Sequence, residues 1–200
     1  MSELFEELKI YLPKYLSAGA QGKLFKELEQ FPENIDARLY TNRLANEQSV
    51  FQGDGLCNLW VSNLPDPSVK QMRAMVLSNT CDVAQENKRM MGPRLLYCPI
   101  ISLAKYEGLI REQGQSVPEN HIEDICKQRI SSMFFLPKTD ALGEAGIALL
   151  DRINNCDLQA INVEDAAKTR LFTLSDYGFY LFLFKLSVHL TRIREGIERN

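Results

Sequence analysis

Between Val50 and Leu103 the chain carries three short apolar runs that no helical period joins. The first, VFQGDGLCNLWVSNL, sets Phe51, Leu56, Leu59, Trp60 and Val61 among glycines and reads as a strand pair or a bent strand. A proline-rich loop from Leu64 to Ser68 follows it. The second run, MRAMVLSNTCDV, predicts a buried strand over Ala74–Ser78. The third, RLLYCPIISL, predicts another over Leu95–Leu103. The two are divided by a polar, basic turn, NKRMMGPR. Short strands separated by such turns fit a small antiparallel barrel best.

The rest of the chain reads as helical layers around that sheet. In residues 1–49, Phe5, Leu8 and Leu12 recur at helical spacing until Pro13, and Gly22–Phe31 sets Leu24, Phe25 and Leu28 on one side before Pro32. Ile35–Glu47 is expected to hold a third short helix. Residues 50–200 form the barrel domain, with a helical insertion at about 104–130. There Ser116, Val117 and Pro118 mark a helix start, and Ile122, Ile125 and Cys126 give an apolar face. MFFLP, from Met133 to Pro137, and GIALLDRIN, from Gly146 to Asn154, predict two more strands. Leu174–Glu198 predicts a long closing helix, apolar nearly all round in its first half. Its Tyr177, Phe179, Tyr180, Phe182 and Phe184 belong in a core or a dimer seam. The fold class expected is therefore α+β: a small antiparallel barrel with N-terminal helices, an inserted helix and a long C-terminal helix.

Composition narrows the function classes. A chain of 200 residues buries about 70% of the surface its unfolded form exposes, so it needs no covalent staples. The five cysteines, Cys57, Cys81, Cys98, Cys126 and Cys156, are odd in number and form no CxxC, which argues against a disulfide framework and a zinc ribbon. With only His121 and His189, a histidine-rich metal site is not expected; no metal and no cofactor is implied. The N-terminus has acids ahead of its apolar residues rather than a basic lead, and no apolar run is long enough to span a bilayer. A soluble, cytoplasmic protein is the expectation.

The net charge is −3, yet the segment from Lys70 to Lys105 holds six basic residues against two acids, a local charge of +4. Lys70, Lys88, Arg89 and Arg94 are its candidate phosphate contacts, since such patches supply most non-specific affinity for nucleic acid. The bland reading is a solvated turn. Ser78-Asn79-Thr80-Cys81-Asp82 offers hydroxyls, a thiol and a carboxylate at a strand end, where loops carry function. Asn79, Thr80 and Asp82 more often satisfy turn backbone, and Cys81 acts as a nucleophile only beside a histidine. Asp54 reads first as a turn cap and second as a group orienting Arg73. Trp60, among Leu and Val, reads as core, with a platform for a stacked base as the alternative.

Five landmarks share one order along the chain: Gly53-Asp54, Arg73-Ala-Met-Val-Leu-Ser78, Tyr97-Cys-Pro-Ile-Ile-Ser102, IALLDRINNCD, and Arg170-Leu171. In that order the chain resembles the PemK/MazF toxin family, over roughly residues 50–103 and 131–190. The resemblance implies an SH3-like barrel of the CcdB/MazF type, a homodimer, and metal-independent cleavage of single-stranded RNA. Arg73 matches the toxins' catalytic Arg. It would bind the scissile phosphate, with Asp82, Thr80 or Ser102 assisting. Two positions depart from the family: Ala74 stands where Pro follows the Arg, and Ile101 where a Thr is typical, so that Ser102 falls on the opposite face of a regular strand. The alternative is a non-catalytic module on the same barrel that binds a protein partner, an antitoxin-like or defence-system subunit in a toxin–antitoxin or phage-defence setting.

Overall fold

The computed structural model describes residues 18–84, 86–87, 90–114, 118–161 and 166–191. The segment around Phe5, Leu8 and Leu12, together with Lys88, Arg89, Ser116, Val117 and the chain beyond Thr191, lies outside them. In chain order the elements are α1 (Ala18–Glu29), β1 (Tyr40–Thr41), β2 (Gly55–Asn63), β3 (Asp66–Val76), α2 (Thr80–Val83), β4 (Arg94–Ser102), α3 (Leu103–Glu112) and α4 (His121–Cys126). After them come β5 (Met133–Leu136), β6 (Gly146–Leu149), β7 (Asn154–Asp157), α5 (Ala166–Thr169), β8 (Arg170–Leu174) and α6 (Asp176–Thr191). The α+β expectation stands: an antiparallel sheet of eight strands is combined with several helices.

The strands follow the order β1-β8-β2-β3-β4-β6-β5, and β7 branches from β4. Three ladders share β4, whose Tyr97–Pro99 pair with β3. Its start, Arg94–Tyr97, pairs with β7, and its end, Ile100–Ser102, pairs with β6. The stretch Gly146–Asn154, expected as one strand, therefore turns after Leu149 and resumes as β7. Ile35–Glu47 is not a helix either. A 3-10 turn at Ala37–Leu39 leads into β1, which pairs Tyr40 with Leu174 and Thr41 with Thr173. Pairing with β8, a strand the sequence concealed, overrides local helix propensity there. The Leu64–Ser68 loop shrinks to a tight turn, and β3 already begins at Asp66.

Alternation along the strands sorts the side chains into separate cores. Met75 of β3, Leu77 just past its end, Cys98 and Ile100 of β4, and Phe172 and Leu174 of β8 form one cluster with Tyr177, Leu181 and Phe182 of α6 and Leu24 of α1. Phe134 meets Phe182 edge-on at 5.6 Å between ring centroids. Of the α6 aromatics, Tyr177 and Phe182 are spent in this core, and Phe179 and Tyr180 pack half-buried against it. Ala74, Val76, Leu95 and Tyr97 face the other way, toward Leu56, Leu59, Val61, Leu158 and Ala166. The inserted helices close the far end, where Ile125 packs with Phe135, Ile147 and Leu149.

A bulge fixes which way the first hairpin strand faces. Leu56 pairs with Ala74 but Leu59 with Met72, and Asn58 takes a left-handed φ of 63° to absorb the extra residue. Leu56, Leu59 and Val61 then share the buried side, and Trp60 is turned outward, 52% exposed. The core reading of Trp60 is thereby corrected.

A cleft between beta3, beta4 and the beta5–beta6 loop

Arg73 shares a face with Met75, at the rim of the main core. Its Nη1 donates to the Leu142 carbonyl at 2.7 Å. That carbonyl is well placed: the Leu142 side chain is buried in the core, and its N–H bonds the Thr139 hydroxyl at 3.1 Å. Gly143, with φ 74°, turns the loop back toward β6. At Gly146 a β-carbon would stand 3.1 Å from the Ile100 side chain, so glycine lets β6 close against β4.

Ser102 is the last residue of β4 and the N-cap of α3, its Oγ accepting the Lys105 N–H at 3.1 Å. A strand's alternation ends where the helix begins. Ile101 and Ser102 both line one pocket with Met72, Arg73, Ile100, Lys105, Leu142, Glu144, Ala145 and Gly146, a cavity of about 200 Å³. The junction, rather than a bulge, brings Ser102 to Arg73. Two cations, one carboxylate and the positive end of a helix dipole meet in this cleft, an arrangement suited to an anion.

The other sequence candidates do not join it. Thr80 and Asp82 lie on α2, past the far end of β3, and do not line the Arg73 cleft. The Thr80 Oγ1 accepts the Gln52 N–H at 3.0 Å, and Asn79 caps α2 through the Cys81 N–H, the turn chemistry these residues usually perform. Between them and Arg73 lie the end of β3 and the Leu77–Asn79 segment. Arg94 opens β4, at the opposite end from Ser102, and its Nε donates to Asn155 Oδ1 at 2.5 Å. Arg94 is therefore separated from Arg73 and Lys105, while Lys88 and Arg89 lie outside the described residues.

Cys81 is exposed, but His121 is engaged with the Tyr106 hydroxyl at 2.8 Å and His189 belongs to α6. Burial pushes the Cys98 thiol well up, and the Cys126 and Cys156 thiols up as well, so none of the three is an activated thiolate. Among the described residues no group of three or more His, Cys, Asp and Glu side chains could hold a metal ion. No helix among them is long and apolar enough to cross a membrane.

Sequence reasoning missed Lys105 and Glu144 as cleft residues. Lys105 had a readable signal, standing three residues after a Ser at the end of an apolar strand. Glu144, in the loop TDALGEAG, had none. No protein-family model matches this chain, and no curated protein matches it either.

Proposed function

We propose that this chain is a divergent PemK/MazF-like protein that contacts single-stranded RNA through the Arg73–Lys105 cleft. The observation that carries the reading is the convergence of Arg73, Lys105 and the Ser102-capped start of α3 on one cavity. A guanidinium forks two phosphate oxygens, and an ammonium adds a point charge beside it.

The barrel belongs to the same proposal. The cluster of Leu56, Leu59, Val61, Ala74, Val76, Leu95 and Tyr97 joins side chains of β2, β3 and β4, and Cys156 of β7 packs against it. The Tyr97 hydroxyl donates to the Trp60 carbonyl, and the Ser62 N–H bonds Asn154 Oδ1 at 2.9 Å, so side chains bridge strands that share no ladder. Such bridges support an SH3-like closure of this layer.

Cleavage without metal uses the ribose 2′ oxygen as nucleophile. It attacks the adjacent phosphorus while the bond to the 5′ oxygen breaks, leaving a 2′,3′-cyclic phosphate. In the cleft, Glu144 would take the 2′ proton, Lys105 would supply one to the departing oxygen, and Arg73 would hold the charge that builds on phosphorus. The test is incubation of single-stranded RNA with the protein in EDTA, beside Arg73→Ala. Cyclic-phosphate ends made by the wild type alone establish the reading.

The non-catalytic module is favoured by a different observation. The Ser102 oxygen is committed to capping α3, and Arg73 already holds the Leu142 carbonyl. RNA binding that depends on Arg73 without any cleavage, or no RNA binding at all, decides for that module.

A further inference from the structure

Trp60 is the chain's only tryptophan, and its exposure has a neighbour that gives it chemical meaning. It pairs directly with Gln71 across the hairpin. Residues two apart on a strand share a face, so Arg73 stands on the same side of the sheet as Gln71 and Trp60. Trp60 and Arg73 are diagonal cross-strand neighbours, with α-carbons roughly 7–8 Å apart, within reach of each other's long side chains. One nucleotide bridges a span of that order from its phosphate to its base.

The position of the indole is held from behind. The Trp60 main-chain carbonyl accepts the Tyr97 hydroxyl, and Leu59 and Val61 on either side are buried in the inner cluster. The surroundings favour a polyanion over an apolar partner. On the side toward the cleft the ring has Gln71 and Arg73, with Lys105 beyond. The apolar Leu64 and Val69 lie the other way, toward the hairpin tip.

We propose that Trp60 is a stacking platform for an unpaired base of the nucleic acid whose adjacent phosphate occupies the Arg73–Lys105 cleft. The inference rests on the RNA reading above and deepens it. The ligand must be single-stranded, because a duplex hides its base faces. It is read with little sequence preference, because every base offers a π-face. Gln71, lying between ring and guanidinium, has a donor and an acceptor to offer to a base edge.

Because Trp60 is the sole tryptophan, its fluorescence reports on this site alone. The full chain is titrated with short oligoadenylate and with an abasic ribose–phosphate chain of equal length, each at several salt concentrations. Oligoadenylate should quench Trp60, and the abasic chain at equal occupancy should not. Trp60→Ala should weaken oligoadenylate binding ~5–150-fold, the range set by one stacked base, while the abasic affinity and the salt slope stay as in the wild type. Trp60→Phe should restore most of the loss, which a merely misfolded variant would not permit. If oligoadenylate binds in an Arg73-dependent way and Trp60 emission does not move, stacking is overturned and the cleft reading survives. If neither polymer binds, both fall, and the exposed ring is left to a protein contact.

Discussion

Asp54 and Arg170, 116 positions apart in the chain, meet as a buried ion pair. Arg170 Nε lies 3.0 Å from Asp54 Oδ2, and the side chains are 3% and 0% exposed. The rest of the guanidinium gathers main-chain carbonyls from one loop: Leu44 and Glu47 at 2.8 Å each, and Ser49. The Phe51 ring lies 5.5 Å from its carbon. Asp54 Oδ2 also accepts the Phe51 N–H at 3.0 Å, which is the turn cap expected of it. Burial pushes the Asp54 carboxyl up, against the pull of that N–H and of Arg170. The residue Asp54 orients is Arg170, not Arg73. Two sequence landmarks thus turn out to be partners in holding β2, β8 and the 44–49 loop together, sealed away from any substrate.

Removing one member leaves the other buried without a counter-charge. Arg170→Met is therefore expected to cost about 3–5 kcal/mol of stability. Asp54→Leu with Arg170→Met should cost less than the sum of the single changes, because no uncompensated charge remains. Denaturant unfolding of the four proteins in a double-mutant cycle measures the coupling. Additive losses would show that the two residues do not act as a pair.

Gly178 sits in α6 where the helix crosses the 3-10 turn before β1. A β-carbon there would stand 2.2 Å from the Leu39 carbonyl oxygen and 3.0 Å from its carbon. These are backbone atoms that also receive the Ser175 N–H and lead into β1, so they cannot step aside cheaply. Gly178→Ala is expected to cost about 3 kcal/mol, at the upper end for overpacking. Gly108 in α3 is the control, with nothing within 4 Å of its would-be β-carbon. Gly108→Ala should gain up to about 1 kcal/mol. Thermal melts of both variants give the comparison, and equal shifts would remove the steric argument.

What the sequence could and could not show follows from the same geometry. The apolar runs that became β3, β4 and β5 were legible because each holds at least three buried or half-buried residues in a row. β1 and β8 were not: β1 has two residues, and β8, RLFTL, breaks its apolar residues with Arg170 and Thr173, so both exist through pairing with each other and, for β8, with β2. Trp60 read as core because a run of Leu, Trp and Val does not reveal its faces. The bulge at Asn58 decides them, and a left-handed Asn leaves no mark on hydropathy. Arg73 was identifiable as a strand cation ahead of an aliphatic run. Of its neighbours in the cleft, Ser102 was named with it, whereas Lys105 and Glu144 were not, because they reach the cleft through a strand–helix junction and a loop.

Lys185 of α6 is 5% exposed, and its Nζ donates to Gln128 O and Oε1 at 2.8 Å each, with no carboxylate among those partners. Gln128 is itself tied to β5, donating to the Phe135 carbonyl and accepting its N–H, at a left-handed φ of 58°. Burial lowers the Lys185 ammonium from 10.5 to about 7. Between those values the unfolded chain binds the proton that the folded chain has released, so stability should rise with pH from about 7 to 10.5. Below that window both states are protonated and the burial penalty is felt in full. The slope contributed by this group approaches about 1.4 kcal/mol per pH unit. Urea unfolding across the window, wild type against Lys185→Met, isolates it. Curves that stay parallel would mean that Lys185 keeps its proton through the window or never loses contact with water.

The cleft makes opposite demands on its cations and its carboxylate. If Arg73 and Lys105 each neutralise one phosphate, Arg73→Ala and Lys105→Ala should each reduce the salt slope of single-stranded RNA binding by about 0.7. Arg73→Lys keeps the charge but loses the fork, so it should preserve the slope and weaken affinity. Glu144 stands in the same cavity and repels phosphate. Glu144→Gln should therefore tighten binding. If Glu144 is the base that takes the 2′ proton, the same change should also slow cleavage, and no purely structural role predicts that pairing of gain and loss. Binding isotherms at a series of salt concentrations, with cleavage followed on the same RNA, read both quantities. A Glu144→Gln protein that binds more tightly and cleaves as fast as wild type would leave Glu144 as a neighbour of the site and take the base role from it.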